Sequence, residues 1–119
     1  MIERLLELNR LLSGVKTLAN QKGIAKKSAV ILWCKGFVLE GRMPDHEQTI
    51  DFCSMLGLLE HKRGDLRLTT NGAVFLQLNN TNFYDLCDEQ KRFLIRKCYL
   101  DGSLRKKTLK CLKEFAVRS

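Results

Sequence analysis

The stretch LGLLEHKRGDLRLTTNG, residues 56–72, contains the turn signals and apolar runs that decide the fold. Short runs with alternating apolar residues at 58–61 and 66–69 predict two β-strands. The tetrapeptide KRGD lies between them and supplies a turn, because Gly64 can adopt the positive φ that tight hairpin turns require. We therefore predict a small β-hairpin whose inner side chains continue the apolar layer of the flanking helices.

The residues before the hairpin predict a helix over 45–57. Asp45 is a favourable N-cap, Gln48 three residues later can complete a capping box, and Gly57 is a natural helix stop. Apolar side chains recur here at helical spacing, namely Ile50, Cys53, Met55, Leu56 and Leu58. We expect the last two of these to close the helix onto the core.

Two further helical segments are predicted upstream. Residues 2–13 carry apolar side chains three and four positions apart; a Ser-Gly pair at 13–14 interrupts this pattern, which then resumes until Gly23. Residues 26–36 fit a buried helix. Because apolar side chains fill more than one face between 29 and 34, a buried strand there stays an alternative.

The residues after the hairpin predict three more helices. Thr69 or Thr70 caps the first, Asp88 the second and Ser103 the third. The side chains expected to be buried in the first are Val74, Phe75 and Leu78. The third carries one apolar stripe, formed by Leu104, Thr108, Cys111, Leu112 and Phe115. The chain is thus predicted to be mostly α-helical with a small β-hairpin.

Length and composition are those of one ordinary globular domain. The chain has 119 residues, of which 45% are hydrophobic and 29% are charged. No apolar run approaches the ~20 residues that span a bilayer, and the N-terminus lacks the apolar core and cleavage site of a signal peptide. We therefore expect a cytoplasmic protein that does not enter a membrane.

The net charge of +8 is concentrated in the last quarter of the chain. Residues 1–87 hold 11 Lys or Arg against 9 Asp or Glu, whereas residues 88–119 hold 10 against 4. In the last predicted helix, Lys106, Lys110 and Lys113 share a face opposite the apolar stripe. Such a basic stripe can follow a phosphate backbone, since each contact releases counterions, but a solvated helix face is the alternative.

The sequence contains no motif typical of catalysis or of metal binding. The five cysteines form no CxxC pair and only two histidines are present, so the spacing of a zinc site is missing. The glycines form no phosphate-binding loop, and the acidic residues form no catalytic pair. We expect a non-enzymatic protein without cofactor or small-molecule ligand, with cysteines that act as small hydrophobic residues. A pair of His46 with a cysteine, formed in space, stays open.

The order helix, helix, acid-capped helix, hairpin, helix resembles that of the winged helix-turn-helix superfamily. The phrase that carries the resemblance is LGLLE at 56–60, a charged hairpin tip at 61–65, and LRLTTNG at 66–72, which enters the next helix through a glycine. The resemblance covers residues 26–79. It implies a winged helix-turn-helix core with extra N- and C-terminal helices.

The implied domain organisation is a single domain, 1–119, with three parts: an N-terminal helical segment (1–25), a winged-helix core (26–79) and basic C-terminal helices (88–118). The chain is similar to the N-terminal winged-helix module of prokaryotic restriction and phage-defence proteins, or of regulatory proteins. Such a module targets or regulates, and the chemistry is expected elsewhere in a larger protein.

The resemblance implies a module that binds double-stranded DNA, mainly through the phosphate backbone. The residues expected to contact phosphates are Lys62, Arg63, Arg67, Lys106, Lys110 and Lys113, and those expected to contact bases are Gln48 and Thr49. The helix that would enter the major groove departs from the family pattern. It carries Asp45, Glu47 and Asp51 but no Lys or Arg, and carboxylates repel phosphates.

This acidic helix supports an alternative function, a protein-interaction or dimerisation module on the same fold without direct DNA readout. A homodimer through the apolar faces of the terminal helices is the expected form, since terminal helices often build the dimer in winged-helix proteins. The charged hairpin tip would then be a solvated turn.

Overall fold

A computed structural model describes residues 7–37, 45–78 and 85–101. Five helices and three strands lie in this part of the chain. In chain order they are α1 (Leu8–Leu18), β1 (Ile24–Lys26), α2 (Lys27–Lys35), α3 (His46–Met55), β2 (Leu59–Lys62), β3 (Asp65–Leu68), α4 (Thr70–Gln77) and α5 (Asp88–Asp101). The predicted fold class is confirmed at this level, because the described protein is mostly helical with a small antiparallel sheet.

The sheet has the strand order β1–β3–β2, and neighbouring strands are antiparallel. β2 and β3 form the predicted hairpin, with each strand shifted by one residue toward the turn. The shift leaves a two-residue turn of Arg63 and Gly64, whose φ angles of 52° and 80° are both positive. This combination is characteristic of the type I′ turn, whose twist matches that of the flanking strands.

The sequence did not predict strand β1. Its three residues are too few to show an alternating pattern, and the strand exists because β3 pairs with it, with Ala25 opposite Leu66. Both side chains are buried. The sheet is therefore three-stranded, although only a hairpin was expected.

The helix predicted around residues 29–34 is confirmed, and the strand alternative is wrong. Val30 and Cys34 of α2 are buried in the core, and Trp33 packs against it. Leu32 is 72% exposed on another face of the helix. Because this apolar side chain faces solvent, the sequence pattern alone could not distinguish a helix from a strand.

The predicted interruption at residues 13–14 is wrong, because α1 continues through both. Gly14 is buried, and a Cβ built there would lie 2.9 Å from Cε3 of Trp33. The glycine therefore allows α2 to approach α1 closely, and it does not end the helix. Of the segment predicted to be helical over 2–13, residues 2–6 lie outside the described part of the chain.

The core joins the helices to the inner face of the sheet. Its larger apolar members are Leu8, Leu11, Leu12, Val15, Val30, Ile50, Phe52, Leu56, Leu58, Leu59, Leu66, Phe75, Leu86 and Leu94. The hairpin residues predicted to face the core are Leu59, Leu66 and Leu68; the first two are buried, and Leu68 is partly buried against the cluster. Val74 is 42% exposed, so its predicted burial is wrong. α4 turns Phe75 inward, and the neighbouring side chain points away.

The end of α3 and the start of α4 meet in a close backbone contact. Thr69, the N-cap of α4, accepts a hydrogen bond from the Gly72 N–H at 3.0 Å, as the capping prediction requires. The same hydroxyl donates to the Gly57 carbonyl at 2.6 Å, and the Thr69 N–H donates to the Leu58 carbonyl at 3.2 Å. A Cβ at Gly72 would lie 1.8 Å from the Leu58 oxygen, so this contact requires glycine.

A buried amide pair attaches α5 to the rest of the fold. Asn9 Nδ2 donates to Gln90 Oε1 at 3.0 Å, and Gln90 Nε2 donates to Asn9 Oδ1 at 2.7 Å. The backbone carbonyls of Asp85 and Phe75 accept further hydrogen bonds from these amides, at 2.7 and 2.9 Å. Because the buried groups are hydrogen-bonded to one another and to the backbone, the network sets the position of α5 without an unpaired amide.

We predict that Gly72→Ala destabilises the fold by at least about 3 kcal/mol or prevents folding, since the added methyl group overlaps a backbone carbonyl that cannot move aside. Urea unfolding followed by circular dichroism measures the effect. Gly36→Ala is the matched control: its φ is −68°, a Cβ there would lie 3.3 Å from the nearest atom, and we expect a change within about 1 kcal/mol. Equal unfolding midpoints for Gly72→Ala and the wild type would contradict the prediction.

Candidate nucleic-acid interface

The outer face of the sheet carries two of the predicted contact residues, Lys62 and Arg67. The strand register places Lys26, Asp65 and Lys62 side by side in one row. Arg67, two residues along β3 from Asp65, lies on the same face, since side chains alternate along a strand. The intervening residue, Leu66, is buried on the opposite face. Lys62 and Arg67 therefore share one exposed surface, as their expected role requires.

Arg63 lies exposed at the tip of the hairpin and has a backbone conformation that arginine rarely adopts. It is the one non-glycine residue with positive φ among those the structure describes. The left-handed region costs an ordinary L-residue about 1–2 kcal/mol, and Asn or Gly would occupy it at lower cost. The tip thus retains a cationic side chain at a strained position.

The predicted cations of the hairpin have no acidic partner in the described part of the chain. Lys62, Arg63 and Arg67 form no ion pair there, and Glu60, opposite Arg67 in the register, lies beyond ion-pair distance. Two ion pairs lie close to the hairpin within the described residues, Lys26 with Asp65, at 3.3 Å, and Lys27 with Glu47, at 3.0 Å. The hairpin cations are consequently available to an external anion.

Lys26 and Lys27 belong to this surface, although the sequence did not single them out. Lys26 ends β1, and the Lys27 N–H donates to the Gly64 carbonyl at the hairpin tip, at 2.8 Å. The pair of lysines is visible in the sequence, but it looks like the start of a helix until β1 is paired with β3. The tertiary pairing brings it beside the turn.

The exposed face of α3 is acidic. Its exposed side chains within the helix are Glu47, Gln48, Asp51, Ser54 and Met55. Asp45 caps the helix by accepting from the Gln48 N–H at 3.1 Å, which confirms the predicted N-cap. Gln48 is exposed, so its predicted role as a base contact stays a prediction. With no Lys or Arg on this face, α3 does not attract phosphates.

The prediction that Thr49 contacts a base is wrong, because its side chain points into the protein. It is 1% exposed, and its hydroxyl donates to Glu7 Oε2 at 2.6 Å. The residue lies on the inner stripe of α3 together with Ile50 and Cys53, which are buried. A polar side chain on the inner face of a helix looks like a surface residue in the sequence until its partner, here Glu7, is known.

The predicted basic residues of the last segment, Lys106, Lys110 and Lys113, lie outside the described residues. Within α5, Arg92 and Arg96 are exposed, one helical turn apart. Lys91 is only 5% exposed and is part of the packed interior. The positive charge of this region is therefore only partly available at the described surface.

A small cavity lies between α1, α2 and α3. Its lining residues are Glu7, Arg10, Leu11, Cys34, His46 and Thr49, and its volume of about 10 Å³ is close to the room that one water molecule needs. Burial raises the pKa of the Cys34 thiol to about 11, although the nearby Arg10 lowers it, and burial also raises the pKa of Cys53. Both buried thiols are therefore protonated near neutral pH. Cys34 and His46 line the same cavity, but the thiol is not ionised there, so the two residues do not form a reactive thiolate–histidine pair.

His46 begins α3 and is half-buried against this cavity. Burial lowers its pKa, the nearby Lys35 and Arg10 lower it further, and the carboxylates of Glu7 and Asp45 oppose that change. The position at a helix N-terminus also disfavours a cationic ring. The neutral imidazole is thus the form that the folded protein prefers.

We predict that the free energy of unfolding decreases as the pH falls from about 6.5 toward 5, because the unfolded chain binds the His46 proton more tightly than the folded protein does. The stability that neutral His46 contributes is present above its unfolded pKa and is lost as the pH falls through its folded pKa. His46→Gln should show a smaller loss over this range. Urea unfolding at several pH values measures both proteins, and identical pH dependence would contradict the role of His46.

Other kinds of site find no support among the described residues. No group of three or more His, Cys, Asp or Glu side chains there could hold a metal ion. None of the helices described is long and apolar enough to cross a membrane. Comparison of the chain with known protein families, with curated proteins and with solved structures found no match.

Proposed function

We propose that this chain is a winged-helix module that binds double-stranded DNA through the phosphate backbone, using the hairpin β2–β3 as its wing. The elements α1, α2, α3, the hairpin β2–β3 and α4 follow one another in the order helix, helix, acid-capped helix, hairpin, helix, and this supports the proposal because the resemblance of the sequence to the winged helix-turn-helix superfamily rests on that order.

The observation that carries the proposal is the strained conformation of Arg63. A positive φ at a non-glycine residue is uncommon; such strain persists where the surrounding structure imposes it, here the type I′ turn, and residues of this kind cluster at functional sites. Asparagine at this position would suit the type I′ turn better but would lack the charge. A guanidinium retained there at the tip, without an ion-pair partner in the described structure, suits a phosphate contact.

The distribution of charge supports backbone contacts and little base readout. Lys62, Arg63 and Arg67 provide cations on the wing, whereas α3 presents Glu47 and Asp51. A duplex that entered α3 deeply would bring its phosphates toward these carboxylates. We therefore propose that DNA lies against the wing and that α3 faces away from the duplex. Binding of this kind depends steeply on salt and weakly on sequence.

A second candidate function is a protein-interaction module on the same fold, and the exposed face of α3 favours it. Met55 is 40% exposed beside the acidic side chains of that face, a combination that suits a partner with basic and apolar residues. Homodimerisation through the terminal helices is one form of this candidate. The two functions are compatible, because the wing and the exposed face of α3 are different surfaces.

We predict that Arg63→Asn increases the stability of the protein and weakens its DNA binding. Stability should rise by up to about 1 kcal/mol because asparagine tolerates the left-handed conformation. The affinity for a random-sequence duplex should fall about fivefold to tenfold at 0.1 M salt, and the slope of log K against log salt should decrease by about 0.9, the contribution of one phosphate contact. Fluorescence anisotropy and urea unfolding measure the two effects.

Arg63→Lys is the matched control, because it keeps both the charge and the strained backbone. We expect it to bind DNA nearly as well as the wild type and to gain no stability. If Arg63→Asn binds DNA as tightly as Arg63→Lys over the whole salt range, the tip makes no phosphate contact. If the wild-type protein does not bind duplex DNA even at low salt, the proposed function is wrong.

A further inference from the structure

We propose that Lys26 and Lys27 complete the phosphate-binding surface of the wing, and that Asp65 and Glu47 limit its affinity by competing with phosphate for these two lysines. This inference rests on the proposed function, since it assigns further contacts to the same DNA-binding surface. It gives the ion pairs Lys26–Asp65 and Lys27–Glu47 a role in setting affinity and salt dependence.

The sheet register brings the four cations together at one corner. Lys26 and Lys62 flank Asp65 in the same row of the outer face, on strands about 10 Å apart with β3 between them. Arg63 follows Lys62 directly at the turn. The hydrogen bond from the Lys27 N–H to the Gly64 carbonyl, 2.8 Å long, attaches the start of α2 to the same turn. We call Lys26, Lys27, Lys62 and Arg63 the basic corner.

The ion pair between Lys26 and Asp65 is suited to exchange. The Lys26 side chain is 77% exposed, so water reaches its ammonium group and weakens the attraction to Asp65 from that side. Asp65 Oδ1 is shielded from solvent and accepts no hydrogen bond from any described donor, although Lys26 Nζ lies 3.3 Å away. The contact is therefore a Coulomb attraction without a directed hydrogen bond, and a phosphate oxygen can replace the carboxylate as the partner of Lys26.

Glu47 forms the second ion pair of this corner, with Lys27. Its carboxylate lies 3.0 Å from Lys27 Nζ and its side chain is 65% exposed, whereas the Lys27 side chain is 26% exposed. The pair connects the acidic α3 to the start of α2, next to the hairpin tip. Glu47 therefore neutralises a cation that would otherwise face the same anion as the wing.

The charge of the basic corner then depends on its two carboxylates. Four cations and two paired carboxylates leave an excess of two positive charges. Removing either carboxylate adds one positive charge and releases one lysine for phosphate. A merely structural ion pair would give a different result, because its loss would lower stability and leave the affinity for DNA unchanged.

The experiment measures binding of a fluorescein-labelled random-sequence duplex by anisotropy at several salt concentrations, with thermal unfolding of every variant as a check of folding. We expect Asp65→Asn and Glu47→Gln to bind about fivefold more tightly than the wild type at 0.1 M salt and to have steeper salt slopes. Lys26→Gln and Lys27→Gln should bind more weakly, each with a slope smaller by about 0.9.

Matched controls distinguish the exchange of a carboxylate for phosphate at Lys26 or Lys27 from a general effect of net charge on the affinity for DNA. Asp51→Asn removes a carboxylate from the exposed face of α3, and Lys35→Gln removes a cation about 12 Å along the helix axis from Lys27. Both should change affinity less than twofold. In the double variant Lys26→Gln/Asp65→Asn, the gain from Asp65→Asn should disappear, because the lysine that it releases is missing.

The possible results distinguish this inference from the proposed function. If Arg63→Asn weakens binding but Lys26→Gln and Lys27→Gln behave like Lys35→Gln, the wing binds DNA and the lysine contacts are wrong. If Asp65→Asn gains no more affinity than Asp51→Asn, or keeps its gain without Lys26, the competition is wrong. If the wild-type protein binds no duplex at low salt, both proposals are wrong.

Discussion

The contact between the first turn of α4 and the backbone at the end of α3 is the constraint on which the rest of the structure depends. Thr69 binds the carbonyls of Gly57 and Leu58, and Gly72 lets the two backbones approach to a distance that no side chain would permit. The contact closes the base of the hairpin, because residues 58 and 69 immediately flank its two strands. The contact therefore fixes where the two strands of the hairpin leave the helical core.

The tip of the hairpin is held independently of its base. The Lys27 N–H binds the Gly64 carbonyl, and the pairing of β1 with β3 supports the hairpin along one edge. A hairpin fixed at both ends presents its cations in a defined arrangement, so little conformational entropy is lost when they meet a phosphate backbone. The strain at Arg63 is consistent with such a rigid support, since a loose tip would relax it.

The features predicted correctly from the sequence are those that depend on interactions between residues a few positions apart. The Asp45 cap, the Thr69 cap and the turn at Gly64 each depend on hydrogen bonds or φ angles of adjacent positions. The fold class followed from them, together with the apolar spacing of the helices. The exposure of Lys62, Arg63 and Arg67 was predictable for the same reason, since a charged hairpin places its own cations at the surface; their contact role stays a prediction.

The features that the sequence missed depend on a distant partner. β1 exists because β3 pairs with it, and Lys26 and Lys27 join the candidate site only through that pairing. Gly14 interrupts a helical pattern in the sequence, but in the structure it accommodates Trp33. Thr49 is polar and was placed at the surface, whereas it is buried against Glu7. Such long-range contacts leave no local signal in the sequence. Two of the four cations of the basic corner, Lys26 and Lys27, could therefore not be predicted from the sequence.

In the proposed binding mode, the wing and the start of α2 face DNA, while the exposed face of α3 beyond Glu47 faces away from it. The most direct measurement is a titration of the ¹⁵N-labelled protein with a short duplex, followed by changes in backbone amide chemical shifts. We expect the largest changes at residues 24–27 and 60–67 and small ones at residues 48–54. Large changes along the exposed face of α3, with the hairpin unaffected, would contradict the account and place the duplex on the acidic helix.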